Sequence, residues 1–250
     1  MLEIWPFGVT SKGQTLSVCL RCKLDMLRLC EAVFCRITYG LCLKIITVGR
    51  EKVCALILVA GLSKRMGDFK PLMALRGRTV IENTISSALE GGVDKVVLVT
   101  GCHAEEVEDI VYRSFGDKVE CVRNEEYASS DMIHSIKIGV RALPECGAFF
   151  LLPGDMPVVS SLTFRKLLEA RRKNKFSVIF PSLDGYRKHP PLIDSSLISE
   201  IISFSGKGGL RMLWKLHEGD VSVVDVDDAG VWVDLDTSDD YQKCRETYEN

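Results

Sequence analysis

The chain has 250 residues, a formal net charge of −2 and 46% hydrophobic residues, enough apolar material to bury one sizeable α/β core. So balanced a charge gives no general pull toward nucleic acid or an anionic membrane. No uncharged apolar stretch reaches the roughly 18 to 20 residues of a spanning helix, and Met1–Gly8 lacks the basic start and apolar middle of a secretory signal, which points to the cytoplasm.

Residues 1–52 mix apolar and basic residues without a helical or strand period, and Gly8, Gly13, Gly40 and Gly49 interrupt them. Five of the ten cysteines lie here: Cys19, Cys22, Cys30, Cys35 and Cys42. Cys19-Leu-Arg-Cys22 has the spacing of half a zinc site, but no second matching pair follows. Scattered cysteines in a chain of this kind are read as small hydrophobes.

From Val53 onward strands and helices alternate. Cys54 to Ala60 is a continuous apolar run, as expected of a strand covered on both faces. Val80, Ile81, Ile85, Ala88 and Leu89 have helical spacing and stop at Gly91-Gly92. Lys95 to Thr100 reads as a strand, Val107 to Val111 as a short helix, Val119 to Val122 as a strand and Ile133 to Leu143 as a helix. A strand at Ala148 to Leu152, a helix at Leu162 to Ala170 and a strand at Phe176 to Phe180 continue the series. Helical turns follow near Ile198 to Ile202 and Gly209 to His217, then a small late β-pair at Val221 to Val226 and Val231 to Val233, and a last helix from about Thr237. This alternation predicts an α/β fold, a three-layer, doubly wound and mostly parallel sheet. Its ligands would sit at the carboxyl ends of the strands.

The first strand runs into Ala60-Gly61-Leu62-Ser63-Lys64-Arg65-Met66-Gly67-Asp68-Phe69-Lys70-Pro71. Its glycines let backbone N–H groups approach phosphate oxygens, and Arg65 and Lys70 add two cations. A solvated basic turn would look similar. Five residues separate Gly61 from Gly67 and no Gly-Lys-Ser/Thr follows, so this is not a Walker A loop; nor is it the dinucleotide fingerprint.

Two acidic clusters lie far downstream. Gly154-Asp155-Met156-Pro157 follows an apolar strand, where an aspartate is either a turn former or a metal ligand. In Asp234-Leu235-Asp236-Thr237-Ser238-Asp239-Asp240, Thr237 suits a helix N-cap and Asp239 and Asp240 suit the first helical turn. Asp234, at the end of a strand, gains nothing from that cap. Joining a phosphate to a nucleoside triphosphate brings two anions together, and Mg2+ on one or two carboxylates offsets their repulsion.

Leu58 to Leu72 resembles the signature loop of the molybdenum cofactor nucleotidyltransferases, L-x-A-G-x-S-x-R-M-G-x-x-K-x-L, at every fixed position. Gly154-Asp155-Met156-Pro157 and the Asp234 segment are similar to that family's G-D-x-P turn and late D-x-D-T-x-x-D-Y segment. The resemblance covers about residues 53–246 and implies a Rossmann-like nucleotidyltransferase fold. It implies nucleotide contacts from Leu58, Ala60, Gly61, Ser63, Arg65, Gly67, Lys70 and Asn124, the last within Asn124-Glu125-Glu126-Tyr127. Lys70, Arg65 and Asp155 would be catalytic, Asp155 and Asp234 would hold Mg2+, and Asp236 would be structural. Arg187 and His189, in a stretch similar to the family's R-G-H-P loop, and Arg211, after Gly206-Lys207-Gly208-Gly209, would meet the acceptor; a surface prolyl turn is the plainer reading of the former. The family's glycine is replaced by Asp131 in Ser130-Asp131-Met132, which puts a carboxylate near an anionic ligand.

Ala60-Gly61, where the guanylyltransferases of this kind carry Gly-Gly, points to CTP rather than GTP. The implied activity moves CMP from CTP to the phosphate of molybdopterin with release of pyrophosphate, the recipient of the product being a molybdoenzyme. Two alternatives stand beside it: a GTP- or CTP-dependent transferase for a sugar or polyol phosphate, and a nucleotide-binding regulator without turnover. Residues 1–52 find no counterpart in the family and are read as an extension arising from a misassigned start, with residues 53–250 as the nucleotidyltransferase domain.

Overall fold

The computed structural model describes residues 50–61, 69–206 and 208–248. The readings made for residues 1–49, the five early cysteines among them, lie outside the described residues. The fold described below is that of the unit Glu51–Asn250.

In chain order, β1 (Val53–Leu58) is followed by a two-stranded antiparallel hairpin, β2 (Ala74–Leu75) and β3 (Arg78–Thr79), and by helix α1 (Val80–Glu90). β4 (Lys95–Thr100), α2 (Ala104–Phe115), β5 (Val119–Arg123), α3 (Met132–Ala142) and β6 (Ala148–Pro153) come next. Then follow α4 (Ser161–Lys173), β7 (Val178–Leu183), β8 (Tyr186–Arg187) and β9 (Leu192–Asp194). The chain continues through α5 (Ile198–Ser203), α6 (Leu210–Leu216), β10 (Val221–Asp225) and α7 (Ser238–Tyr248).

The main sheet is eight-stranded, in the order β10-β7-β9-β6-β1-β4-β5, with β8 paired to β7. β1 is parallel to β4 on one side and to β6 on the other, in registers that align Leu58 with Val99 and with Pro153. β9 is antiparallel to both β6 and β7, so the sheet is mixed but mostly parallel. The winding reverses at β1: the next strands build outward through β4 and β5, and then β6 is laid on its other edge. The crevice between the carboxyl ends of β1 and β6 is therefore the place where a doubly wound sheet binds ligands.

Side-chain alternation along β1 feeds two cores. Val53, Ala55, Ile57 and Val59 pack with Ile81, Ile85 and Ala88 of α1, Val107 and Val111 of α2, and Phe164 and Leu167 of α4. Cys54, Leu56 and Ala60 face Ile136 and Val140 of α3, Ile201 of α5, and Leu213 and Trp214 of α6. Three layers result. Each fully buried Leu, Ile or Phe contributes about 1.5–3 kcal/mol from removal from water. α1 begins with a capping box, Thr79 Oγ1 accepting from Glu82 N and a Glu82 carboxylate oxygen accepting from Thr79 N. Gly139 lets α3 lie close on β1, since a Cβ there would come within 2.2 Å of Leu56 Cδ1.

The expected late β-pair needs correction. Val221–Asp225 is a strand, but it joins the main sheet beside β7. Val231–Val233 is not its partner, because residues Ala229–Trp232 form a 3-10 turn. Asp228 draws that segment out of strand geometry by accepting hydrogen bonds from Gly230 N, Ser160 N and Thr163 Oγ1. The small antiparallel pair is instead the early hairpin at Ala74–Thr79.

At the opposite end of the sheet from the crevice, Arg171 of α4 is 3% exposed. It donates to both oxygens of Glu51, to Gly147 O and to Asp194. One buried fork thus ties the entry of β1 and the entry of β6 to β9 and α4. The guanidinium's hydrogen bonds hold the Glu51 carboxyl below the ordinary carboxylate range, and hydrogen bonding to Ser196 and Arg171 outweighs burial to do the same for Asp194. Carboxylates lowered in this way stabilise the fold at neutral pH, and the contribution is lost as pH falls through their folded pKa values. We expect Arg171→Ala to lower the unfolding free energy in urea by about 2–4 kcal/mol at pH 7, with the deficit shrinking in acid. The exposed neighbour variant Arg172→Ala should stay within about 0.5 kcal/mol of wild type.

Candidate active site

The floor of the crevice is made by bringing two strand ends together. Val59 N donates to Val99 O and Gly154 N donates to Leu58 O, which holds the chain after β1 between its neighbours. Gly154 has to be glycine: a Cβ there would sit 2.1 Å from Val59 Cγ1 and 3.0 Å from Leu58 O. From the α1 side, Thr84 Oγ1 donates to Gly154 O. The turn after β6 is thereby fixed, and Asp155 is aimed at the end of β1.

Lys70 opens a short 3-10 turn, Lys70–Leu72, rigidified by Pro71. Only 7% exposed, it directs Nζ to Asp236 Oδ1 at 3.0 Å and to Asp155 Oδ2 at 3.6 Å. The late acidic segment is stitched to the same turn, with Leu235 N donating to Asp155 O. Thr237 then caps α7 as its sequence suggested, its hydroxyl accepting from Asp240 N and its own N–H donating to the Asp240 carboxylate. Three segments about 80 residues apart in sequence meet within one ion-pair distance. Asp234 stands beside them, exposed and close enough for its charge to act on Asp155.

Asp155 is the anomaly of the group. Its Oδ1 is buried and finds no hydrogen-bond partner among the described residues. Burial first, and then the negative charge of Asp234, push its pKa up to about 6, against the opposing pull of Lys70. A cleft of about 260 Å³ opens from this point, close to the lower end of the range of about 300–1,000 Å³ usual for small-ligand sites. Leu58, Ala60, Gly61, Lys70 and Asp155 line it, as do Ser130, Asp131 and Ser135 at the start of α3.

The expected site residues divide accordingly. Leu58, Ala60, Gly61, Lys70 and Asp155 come together on the cleft, whereas Ser63, Arg65 and Gly67 lie outside the described residues. A Cβ on Gly61 would meet no described atom within 4 Å. Asn124 is 1% exposed and spends its amide internally, donating to Ser130 Oγ and Ser135 Oγ and accepting from Glu126 N. It positions the wall of the cleft. Asp131 caps α3 by accepting from His134 N.

On the far side, Arg187 is taken up by Glu218 through two hydrogen bonds of 2.7 and 3.3 Å and stands over the Phe180 ring. His189 is exposed within electrostatic reach of Asp234 and Arg211, and Arg211 is exposed on α6. Asp236, read from the sequence as structural, is a direct partner of Lys70. The backbone turns tightly here, Asp236 N donating to Asp234 O, while Leu235 between the two acids is buried.

Residues 55–221 match the model of the MobA-like NTP transferase domain. The molybdenum cofactor cytidylyltransferase of Escherichia coli K12 is 28% identical over 193 residues, covering 77% of this chain and 95% of that one. Nicotine blue oxidoreductase of Paenarthrobacter nicotinovorans is 31% identical over 192 residues, covering 74% and 92%. Among solved structures, a nucleotidyl transferase from Methanothermobacter superposes with a TM-score of 0.67 at 28% identity, covering 79% of this chain and 97% of that one. Rv0371c from Mycobacterium tuberculosis, in complex with manganese, gives 0.60 at 25% identity, covering 78% and 99%. The fold and the family matches define a nucleotidyltransferase. Within that class, the chain belongs to the family of the MobA-like NTP transferase domain.

The position of Asp155 has a consequence for stability. A carboxyl whose folded pKa stands at about 6, above the ordinary 3.8, weakens the fold when ionised. The penalty is absent below about pH 3.8, grows as pH rises to about 6, and is complete at neutral pH. With each pK unit equivalent to about 1.4 kcal/mol, we expect Asp155→Asn to stabilise the metal-free chain by about 2–3 kcal/mol at pH 7.5 in urea unfolding. At pH 4 the gain should nearly vanish.

Proposed function

We propose that this protein transfers CMP from CTP to the phosphate of molybdopterin, releasing pyrophosphate, with Mg2+ as its metal. The observation that carries the reading is the meeting of buried Lys70 with Asp155 and Asp236 at the sheet's switch point, where Asp155 keeps one buried oxygen unpartnered. Phosphoryl chemistry uses both signs of charge in one place: a cation against the polyphosphate and carboxylates for a hard metal ion. The family includes a relative named as an oxidoreductase, so membership alone does not choose the reaction. A buried lysine facing two acids suits a metal-bound polyphosphate.

The donor set fits a divalent ion. An orphaned buried carboxylate oxygen on Asp155 and an exposed carboxylate on Asp234 beside it are oxygen donors of the kind Mg2+ takes, with water completing the shell. The relative solved with manganese agrees with such a site. When bound, the ion supplies neutralisation of the polyphosphate charge and raises the electrophilicity of the α-phosphorus. The chain's own residues do the rest. Lys70, locked by Pro71 and by its two acids, holds the triphosphate at the floor of the cleft. Asn124 keeps Ser130 and Ser135 in place along the cleft's wall. His189 and Arg211 stand on the acceptor side, with Arg187 available to it when released from Glu218. No covalent intermediate is required, so positioning and charge carry the rate.

CTP is preferred over GTP because the wall at Ala60 has no slack. A Cβ on Gly101 would lie 3.0 Å from Ala60 Cα and 2.6 Å from Tyr127 Cβ, so the residue after β4 packs closely on this segment. A methyl at residue 60 cannot withdraw from a larger base.

Incubating the full chain with Mg2+, CTP or GTP, and either molybdopterin or a sugar phosphate, and measuring pyrophosphate, tests the reading. Release with CTP and molybdopterin is expected, and a preference for a sugar phosphate, or nucleotide binding without turnover on any acceptor, would overturn it. Asp155→Ala should lose at least about a thousand-fold in kcat while remaining folded. Ala60→Gly should raise kcat/KM for GTP relative to CTP by about ten-fold; an unchanged ratio would remove the base assignment.

A further inference from the structure

The cleft carries few polar side chains: Lys70 and Asp155, and on the approach to α3 Tyr127, Ser130, Asp131 and Ser135. Asp131 is the one that departs from the family's sequence pattern, which has glycine there. It is exposed on the cleft. Its Oδ1 accepts from His134 N at 3.0 Å, and Oδ2 takes no bond from the described residues. No described lysine or arginine forms an ion pair with it, and the His134 ring is turned to Glu126 at 3.8 Å. The first turn of an 11-residue helix such as α3 would otherwise draw phosphate, because its free N–H groups and dipole favour an anion. Asp131 fills that place with a carboxylate of its own, and a second anion beside it is repelled. Charge thus orients the nucleotide. The polyphosphate belongs with Lys70 and a metal ion on Asp155, so the part that meets Asp131 is the uncharged nucleoside.

We propose that Asp131 is a specificity-determining residue for the nucleotide: it closes the N-terminus of α3 to phosphate and accepts, through Oδ2, a hydrogen bond from the nucleoside. This rests on the transferase reading given above and adds to it a filter independent of Ala60. The donor is an amino group of the base or a hydroxyl of the ribose. A carboxylate pairs well with the 4-amino group of cytosine. Uracil puts a carbonyl oxygen at that position, which turns the same contact repulsive. Ala60 thus acts on the size of the base, and Asp131 on the donors that the nucleoside presents. The carboxylate is held ready for this by its cap bond to His134 N, and by its neighbours Ser130 and Ser135, whose hydroxyls each accept from the buried Asn124 amide.

The test is calorimetric titration of the full chain in Mg2+ with non-hydrolysable analogues of CTP, UTP, 2′-deoxy-CTP and 3′-deoxy-CTP, and with inorganic tripolyphosphate. Asp131→Asn keeps the helix cap, since asparagine caps as well as aspartate, and Asp131→Gly removes the carboxylate altogether. A hydrogen bond to a charged group changes affinity by about ten-fold or more. The wild type should prefer the CTP analogue by that factor over the UTP analogue, if the base supplies the donor, or over a deoxy analogue, if the ribose does. In Asp131→Gly that preference should fall to about two-fold or less. With its oxygen kept by the cap, Asp131→Asn turns an NH2 group to the ligand and should favour UTP in the first case. Tripolyphosphate should bind both variants at least as tightly as the wild type. The same discrimination, or the same lack of it, in all three proteins would overturn the proposal. So would tripolyphosphate binding weakened in the variants as much as that of the CTP analogue, which would assign Asp131 to the phosphates. Failure of the wild-type chain to bind any nucleotide analogue would instead overturn the transferase reading beneath it.

Discussion

A carboxylate mostly withdrawn from water, with one oxygen toward a lysine and the other toward no described partner, is costly to fold. Asp155 is held in that state by rigid surroundings: the Gly154 turn hydrogen-bonded to Leu58 and Thr84, and the backbone of Leu235 drawn onto Asp155 itself. Nothing in the stability of the molecule calls for the arrangement, since burial and the nearby Asp234 both oppose the charge. Strain of this electrostatic kind persists where a ligand relieves it. Every part of the site is arranged around that one group.

Lys70 supplies part of the relief and brings the turn Lys70–Leu72 into register with the acids. Its three-way contact with Asp155 and Asp236 explains why segments remote in sequence share one crevice. The doubly wound sheet provides the geometry: β1 and β6 are neighbours in parallel register, and both end at the same level. The opposite end of the sheet is closed by another kind of polar cluster, the Arg171 fork, in which every acid is fully paired. One end satisfies its charges internally, and the other keeps an oxygen in reserve.

Much of the sheet was legible in the sequence, because a strand covered on both faces has to be a continuous apolar run and Cys54 to Ala60 is one. The capping residue Thr237 likewise acts through local backbone geometry that sequence displays directly, whereas the caps at Thr79, Asp131 and Ser160 emerge with the structure. What escaped depended on partners far away in the chain. Val231–Val233 has strand composition, but Asp228 and the packing of Gly230 against Val158 turn it into a 3-10 segment. β9 is too short and too close to two prolines to be read as a strand alone. Asp236 could be read only as structural, because its partner Lys70 lies 166 residues earlier. Asn124 was read for its motif, and only coordinates reveal where its amide hydrogens go.

The central claim is that Asp155 holds one divalent ion against a nucleotide beside Lys70. Electron paramagnetic resonance of Mn2+, titrated into the full chain with a non-hydrolysable CTP analogue, measures this most directly. Tight uptake in the wild type, weakened about a hundred-fold or more in Asp155→Asn, is the predicted result. Equal Mn2+ affinity in the two proteins would contradict the account.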